Sequence, residues 1–313
     1  LDWPMRKQNR EKIWVRIAGD PVRDKDEVLW TVVDITERVK AKEKIDQLAS
    51  KLSRYLSPQV YQSIFSGKKN VKIEAYRKKL TVFFSDIKGF TEITDRLEPE
   101  VLSTLLNSYL NEMSKIALKY GGTIDKFVGD AILIFFGDPE TKGDKEDAYS
   151  CVLMALEMQE RMHHLKNLWE GQGITNPLEI RIGINTGYCN VGNFGSENRL
   201  DYTIIGGEVN LASRLESNAM TGQILISQET YALIKKHIVC EKKDEIKVKG
   251  IAHKIQTYQV VGSYKNIAQK RKILNEKFDG FNLNIDLNIS KKNKVITSLE
   301  NTLKQLKKDE KSN

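Results

Sequence analysis

Thr123-Ile124-Asp125-Lys126-Phe127-Val128-Gly129-Asp130-Ala131-Ile132-Leu133-Ile134-Phe135-Phe136 is the stretch that decides how this chain folds. Two β-rich runs flank Gly129-Asp130, and a pair of residues of this kind closes a tight hairpin. Upstream, Leu80-Thr81-Val82-Phe83-Phe84-Ser85 is another apolar run, closed by Asp86. Between the two, Val101, Leu102, Leu105, Leu106, Tyr109, Leu110, Met113, Ile116 and Ala117 recur at helical spacing. They predict a helix from about Pro99 to Tyr120 that Gly121-Gly122 stops. Downstream, a second long helix is expected over about 145–168, then strands over 178–186 and 188–194, broken at Gly187. Strand, helix, hairpin, helix, strand is the order of a ferredoxin-like βαββαβ sandwich, an α+β fold. A helix opening at Asn210 and short strands around one helix near Gln228 complete a core domain expected over 78–262.

Asp86 and Asp130 stand 44 positions apart, each where a buried strand should reach the surface. One aspartate at such a place caps a turn as readily as it binds a metal. Two of them, with the hairpin between and Gly89 and Gly129 beside them, can share hard divalent cations. That chemistry points to phosphoryl or nucleotidyl transfer.

Composition sets the bounds. A chain of 313 residues with 40% hydrophobic and 29% charged residues suits a soluble globular protein of one domain with extensions, or of two small domains. No run of about 18 apolar residues is present, so no membrane contact is expected from this segment. The start lacks both a Met and the layout of a signal peptide. The chain reads as a fragment of a cytoplasmic protein, with room for a sensor or membrane segment upstream. Cys151, Cys189 and Cys240 are scattered, as in a reducing compartment. His163-His164 fall in a predicted helix without an evident metal-ligand partner. The net charge is +8, but residues 264–313 hold 12 Lys/Arg against 6 Asp/Glu. Most of the excess is therefore a solvated tail, and no nucleic-acid partner is expected. Within the Lys/Asn-rich extension, 263–313, Phe281, Leu283, Ile285, Leu287 and Ile289 alternate like a strand, and Val295, Leu299, Leu303 and Leu306 recur like a helix.

Residues 1–35 read as three or so short strands. Trp14, Pro21 and Trp30-Thr31-Val32-Val33-Asp34-Ile35-Thr36 together resemble the C-terminal part of a PAS sensor domain. Thr36 is a suitable N-cap for a helix. Ala41, Ile45, Leu48, Leu52 and Tyr55 then form a heptad seam within a signalling helix and linker, 36–77. Either the helix packs on its own domain or the seam joins two copies in parallel, and the preceding sensor half favours the second. Ser57-Pro58 is expected to end this helix.

Four further stretches carry a more specific resemblance. Phe84-Ser85-Asp86-Ile87-Lys88-Gly89-Phe90-Thr91, Lys126-Phe127-Val128-Gly129-Asp130-Ala131, Arg181-Ile182-Gly183-Ile184-Asn185-Thr186-Gly187 and Val209-Asn210-Leu211-Ala212-Ser213-Arg214-Leu215-Glu216 occur in one order. Together they resemble the catalytic domain of class III adenylyl and guanylyl cyclases. The resemblance implies that Asp86, Asp130 and the backbone carbonyl of Ile87 bind two Mg²⁺ or Mn²⁺ ions per active site. It implies that Asn210 orients the ribose and Arg214 binds the α-phosphate as charge develops. Arg181 and Lys249 would hold the outer phosphates, with Lys247 on the same face as Lys249. Lys126 and Thr203 would read the purine, a pairing similar to the subgroup that includes bicarbonate-responsive adenylyl cyclases; Asp201 is the alternative if the register slips. Guanylyl cyclases of the family typically carry Glu and Cys there, so ATP is the expected substrate. A symmetric homodimer with shared sites is implied too. The alternatives are a guanylyl cyclase and a non-catalytic nucleotide-sensing dimerisation module. Gly206-Gly207-Glu208 is similar to a diguanylate cyclase motif, but Val209-Asn210 does not continue it.

Overall fold

The computed structural model describes residues 1–8, 10–21, 28–53, 55–66, 72–171, 178–248, 254–264, 273–278, 281–286 and 292–309. The chain divides into two compact units, Leu1–Val71 and Lys72–Asn313.

In the first unit β1 (Asp2–Arg6), β2 (Lys12–Pro21) and β3 (Val28–Asp34) form an antiparallel sheet in chain order. Helix α1 (Thr36–Leu52) follows. Thr36 opens it but does not cap it with its side chain. Its hydroxyl instead accepts the Trp14 N–H of β2 at 2.9 Å, and the Asp34 carboxylate accepts the Thr36 N–H at 2.9 Å. Ile45, Leu48 and Leu52 of the seam are exposed. Ser57-Pro58 does not terminate this helix, which has already ended at Leu52. It starts α2 (Pro58–Phe65), with the Ser57 hydroxyl accepting from Val60 N–H and Pro58 in the first turn, where its missing N–H costs nothing.

The second unit has the predicted α+β core. Its elements are β4 (Glu74–Ile87), α3 (Phe90–Thr94), α4 (Pro99–Tyr120), β5 (Thr123–Val128), β6 (Ala131–Phe136), α5 (Asp144–Gly171) and β7 (Ile180–Ser196). They continue through β8 (Arg199–Ile205), α6 (Gly207–Asn218), β9 (Ile224–Ser227), α7 (Gln228–Ile234), β10 (Ile238–Lys242) and β11 (Thr257–Ser263). The sheet runs β10-β11-β9-β7-β4-β6-β5, with β8 paired to β7. Its β7-β4-β6-β5 part is the strand order of a ferredoxin-like sandwich. Beyond it, β12 (Ile273–Phe278) and β13 (Phe281–Asp286) pair as a hairpin, and α8 spans Lys292–Asp309. Leu287 and Ile289 of the expected alternation lie outside the described residues.

Strand alternation sorts the side chains of β4 onto two faces. Phe83 and Ile87 pack with Tyr109, Met113, Met154 and Met158 of α4 and α5. Leu80 and Val82 pack on the other face with Cys189, Ile204 and Ala212. Helix α6 lies directly on β7. A Cβ built on Gly183 would stand 2.1 Å from the Glu216 nitrogen and 2.3 Å from the Ala212 oxygen, so only glycine fits there.

Strand β7 corrects the sequence reading. It is one strand of 17 residues rather than two, because β4 pairs with it from Ile180 through Asn193 without interruption at Gly187. The β8 strand was not expected at all. It is held by a buried carboxylate, Asp138, which accepts from the hydroxyls of Tyr76 and Tyr202 and from Lys78 at 2.9 Å. The Asp138 carbonyl also accepts the Thr123 hydroxyl at 2.7 Å, so one residue ties β4, β5 and β8 together.

Candidate active site

The Gly129-Asp130 turn brings Asp130 back beside the end of β4. Gly129 sits at φ 65°, the left-handed region a tight hairpin needs. The Asp130 carboxylate accepts the Ile87 N–H at 3.0 Å. Its pKa is pushed up to about 6, first by burial and then by the adjacent Asp86 carboxylate. The two carboxylates predicted from separate strands therefore meet. Hard oxygen donors this close repel one another when both are ionised, and a divalent cation relieves the repulsion. A set of two carboxylates suits Mg²⁺ in particular, because that ion keeps open positions for phosphate oxygens and water. The residues present fit the implied metals.

Arg181 stands directly across from Asp86 in the β4–β7 register. Its guanidinium donates to Asp86 at 2.9 Å and pairs with Glu216 of α6 at 2.9 Å. It also reaches the Ser217 carbonyl at 3.3 Å. Glu216 is buried; burial raises its pKa, and Arg181 offsets only part of that rise. Sequence reasoning named Arg181 for phosphate binding and missed Glu216. The close approach of Gly183 to the Glu216 backbone brings Glu216 within reach of Arg181, and nothing in the sequence marks it.

Asn210 and Arg214 lie on the exposed side of α6, opposite the buried Leu211 and Leu215. Among the described residues neither side chain has a hydrogen bond or ion pair, so both are free to meet a ligand. Lys249 lies outside the described residues, and Lys247 is exposed.

Lys126 and Thr203 are brought together by Asp125, a residue the sequence reading passed over. The β5–β6 register slips between Ile124 and Lys126, leaving Asp125 as the unpaired residue of a bulge. A bulge re-aims a side chain that plain alternation would send to the other face. The Asp125 side chain is 1% exposed. Its Oδ2 accepts the Thr203 hydroxyl at 2.6 Å and the Ile204 N–H at 3.3 Å. Its Oδ1 lies 3.3 Å from the Lys126 ammonium, itself 42% exposed. Burial raises the Asp125 pKa; Thr203, Lys126 and Ile204 oppose the rise. Asp201 lies on β8 and is exposed.

Comparison with known proteins places residues 71–262 in a match to the family described as the adenylate and guanylate cyclase catalytic domain. Over 228 residues the chain is 34% identical to the terminal-differentiation-specific adenylate cyclase of Dictyostelium discoideum, covering 71% of this chain and 10% of that one. Among solved structures it is similar to the adenylyl cyclase CyaB from P. aeruginosa, with 64% identity and a TM-score of 0.60 over 62% of this chain and 98% of that chain. The guanylyl cyclase Cya2 is 37% identical, with a TM-score of 0.58, over 61% and 95% of the two chains.

Proposed function

The chain belongs to the adenylate and guanylate cyclase catalytic domain family, and we propose that it converts ATP to 3′,5′-cyclic AMP and pyrophosphate. The observation that carries this reading is the meeting of Asp86 and Asp130 beside Arg181. In the reaction the ribose 3′-oxygen forms a bond to the α-phosphorus, the bond to the pyrophosphate oxygen breaks, and the hydroxyl proton passes to solvent. Two Mg²⁺ or Mn²⁺ ions, held by Asp86, Asp130 and the Ile87 carbonyl, would acidify that hydroxyl and neutralise the triphosphate. Asn210 orients the ribose. Arg214 meets the α-phosphate with a charge that is always present and a planar fork that matches its oxygens. Arg181 and Lys249 hold the outer phosphates. Lys126 and Thr203 face the purine.

The early carboxylates and the late Asn210 and Arg214 would come from different subunits of a homodimer, giving two shared sites. The exposed seam of α1 supports a parallel pairing of two chains. The three-stranded sheet before it supports the reading of residues 1–35 as part of a PAS-like sensor. A 1 Å misplacement of reacting groups can cost roughly 10²-fold, so a small sensor-driven shift would suffice for regulation.

Purified chain given Mg²⁺ or Mn²⁺ with ATP or with GTP, followed by identification of the cyclic product, tests the activity. Cyclic AMP with release of pyrophosphate is expected. Binding of ATP with no pyrophosphate would leave a nucleotide-sensing module. Cyclic GMP as the product would favour the guanylyl reading, which the likeness to Cya2 keeps in view.

A further inference from the structure

Asp125 has no part in the chemistry above, yet it organises both groups that face the purine. A hydroxyl has one hydrogen and two lone pairs. The Thr203 hydrogen is committed to Asp125 Oδ2 at 2.6 Å. The Ile204 N–H on the same oxygen and the Lys126 ammonium 3.3 Å from Oδ1 both favour the ionised carboxylate, which can only accept. What Thr203 can offer a ligand is then lone pairs alone. Lys126 can only donate. The two side chains therefore present a donor beside an acceptor, the complement of adenine, whose N1 accepts and whose 6-amino group donates. Guanine presents the reverse, a 6-oxo acceptor and an N1–H donor, and both contacts would be mismatched. A site built on fixed polar groups rejects a mismatched partner far more strongly than an apolar pocket does.

We propose that Asp125 is a positioning residue that locks the Thr203 hydroxyl as an acceptor and thereby sets the preference for a 6-amino over a 6-oxo purine triphosphate. This rests on the reading of ATP as the substrate and of Lys126 and Thr203 as the purine contacts. It adds what the two contacts lack alone, since a threonine free to rotate serves either base.

The test uses the full chain and kcat/KM for ATP, GTP and inosine triphosphate, which has the 6-oxo edge without the 2-amino group. In Asp125→Ala the ATP/inosine triphosphate and ATP/GTP ratios are expected to fall about 10- to 100-fold. Asp125→Val, a strand-forming replacement of similar size, gives the same reading should the alanine variant melt early. Thr203→Val should lower the ratios equally, Thr203→Ser should keep them, and the Asp125→Ala/Thr203→Val double variant should fall no further. Rates that drop in parallel for all three nucleotides, with the ratios unchanged, overturn the proposal, as does an additive double variant. Wild-type protein that prefers GTP overturns the substrate reading as well. Wild-type preference for ATP that survives the substitutions overturns this inference alone.

Discussion

At Gly183 one methyl group is enough to lift α6 from the sheet. The added carbon would meet backbone atoms at 2.1 and 2.3 Å, and backbone cannot rotate out of the way as a side chain can. Gly183→Ala is expected to cost about 3 kcal/mol or more and to lower Tm by roughly 10 °C, read by calorimetry. It should also cut activity, because α6 carries Asn210, Arg214 and the Glu216 that steadies Arg181. Arg214→Lys should lower kcat by about 10²-fold with a smaller change in KM, since a point charge replaces a planar fork at the developing charge. Steady-state kinetics separate the two parameters. Asp86, Asp130 and Lys126 could be named from the sequence because each stands in a short motif between apolar runs. Asp125 could not. Alternation puts it on the face opposite Lys126, and the bulge that reverses this leaves no mark in a run of β-forming residues. Glu216 was hidden differently, as an acidic residue on an amphipathic helix where charge usually means solvent.

Elements were legible where their period was long and their ends were marked. Helix α4 has the predicted span of Pro99–Tyr120, since its stripe is continuous and Gly121 adopts the left-handed conformation that ends it. A glycine inside a strand was read as a break, yet β7 passes through Gly187 because the Glu208 side chain occupies the space a Cβ would take, 2.6 Å away. The β8 strand escaped notice although its partner, the far end of β7, lies within the predicted core; the Tyr202–Asp138 contact that holds it joins residues far apart in sequence. In α1 the apolar seam is legible and its partner is not. Ile45 is 63% exposed and Leu52 56%. Leu48→Lys with Leu52→Lys should shift the chain from dimer towards monomer in sedimentation velocity while leaving its melting temperature nearly unchanged. Deleting residues 1–56 should alter the cyclase rate; an unaltered rate would remove the support for control through α1.

Across the whole molecule, the order of elements carried the α+β architecture because each crossover had only one short route, and the strand order followed from it. The proposed sharing of active sites makes a prediction of its own. Asp86→Ala chains and Asn210→Ala chains should each be inactive, and mixing them should restore one working site per heterodimer, up to about a quarter of wild-type activity if subunits pair at random. No recovery on mixing would mean that both residues act within one subunit. The Asp138 junction has a consequence for alkaline solution. Burial first, and then the Asp138 carboxylate, raises the Tyr202 phenol, and burial likewise raises Tyr109. Tyr120 is pushed up to about 12. The unfolded chain gives up these protons near pH 10, whereas the folded chain keeps them, so stability falls as pH climbs above about 10. Phenolate absorbance should therefore grow in two waves, an early one from surface rings and a late one that arrives only with loss of the far-ultraviolet dichroism, and Tyr202→Phe should shrink the late wave.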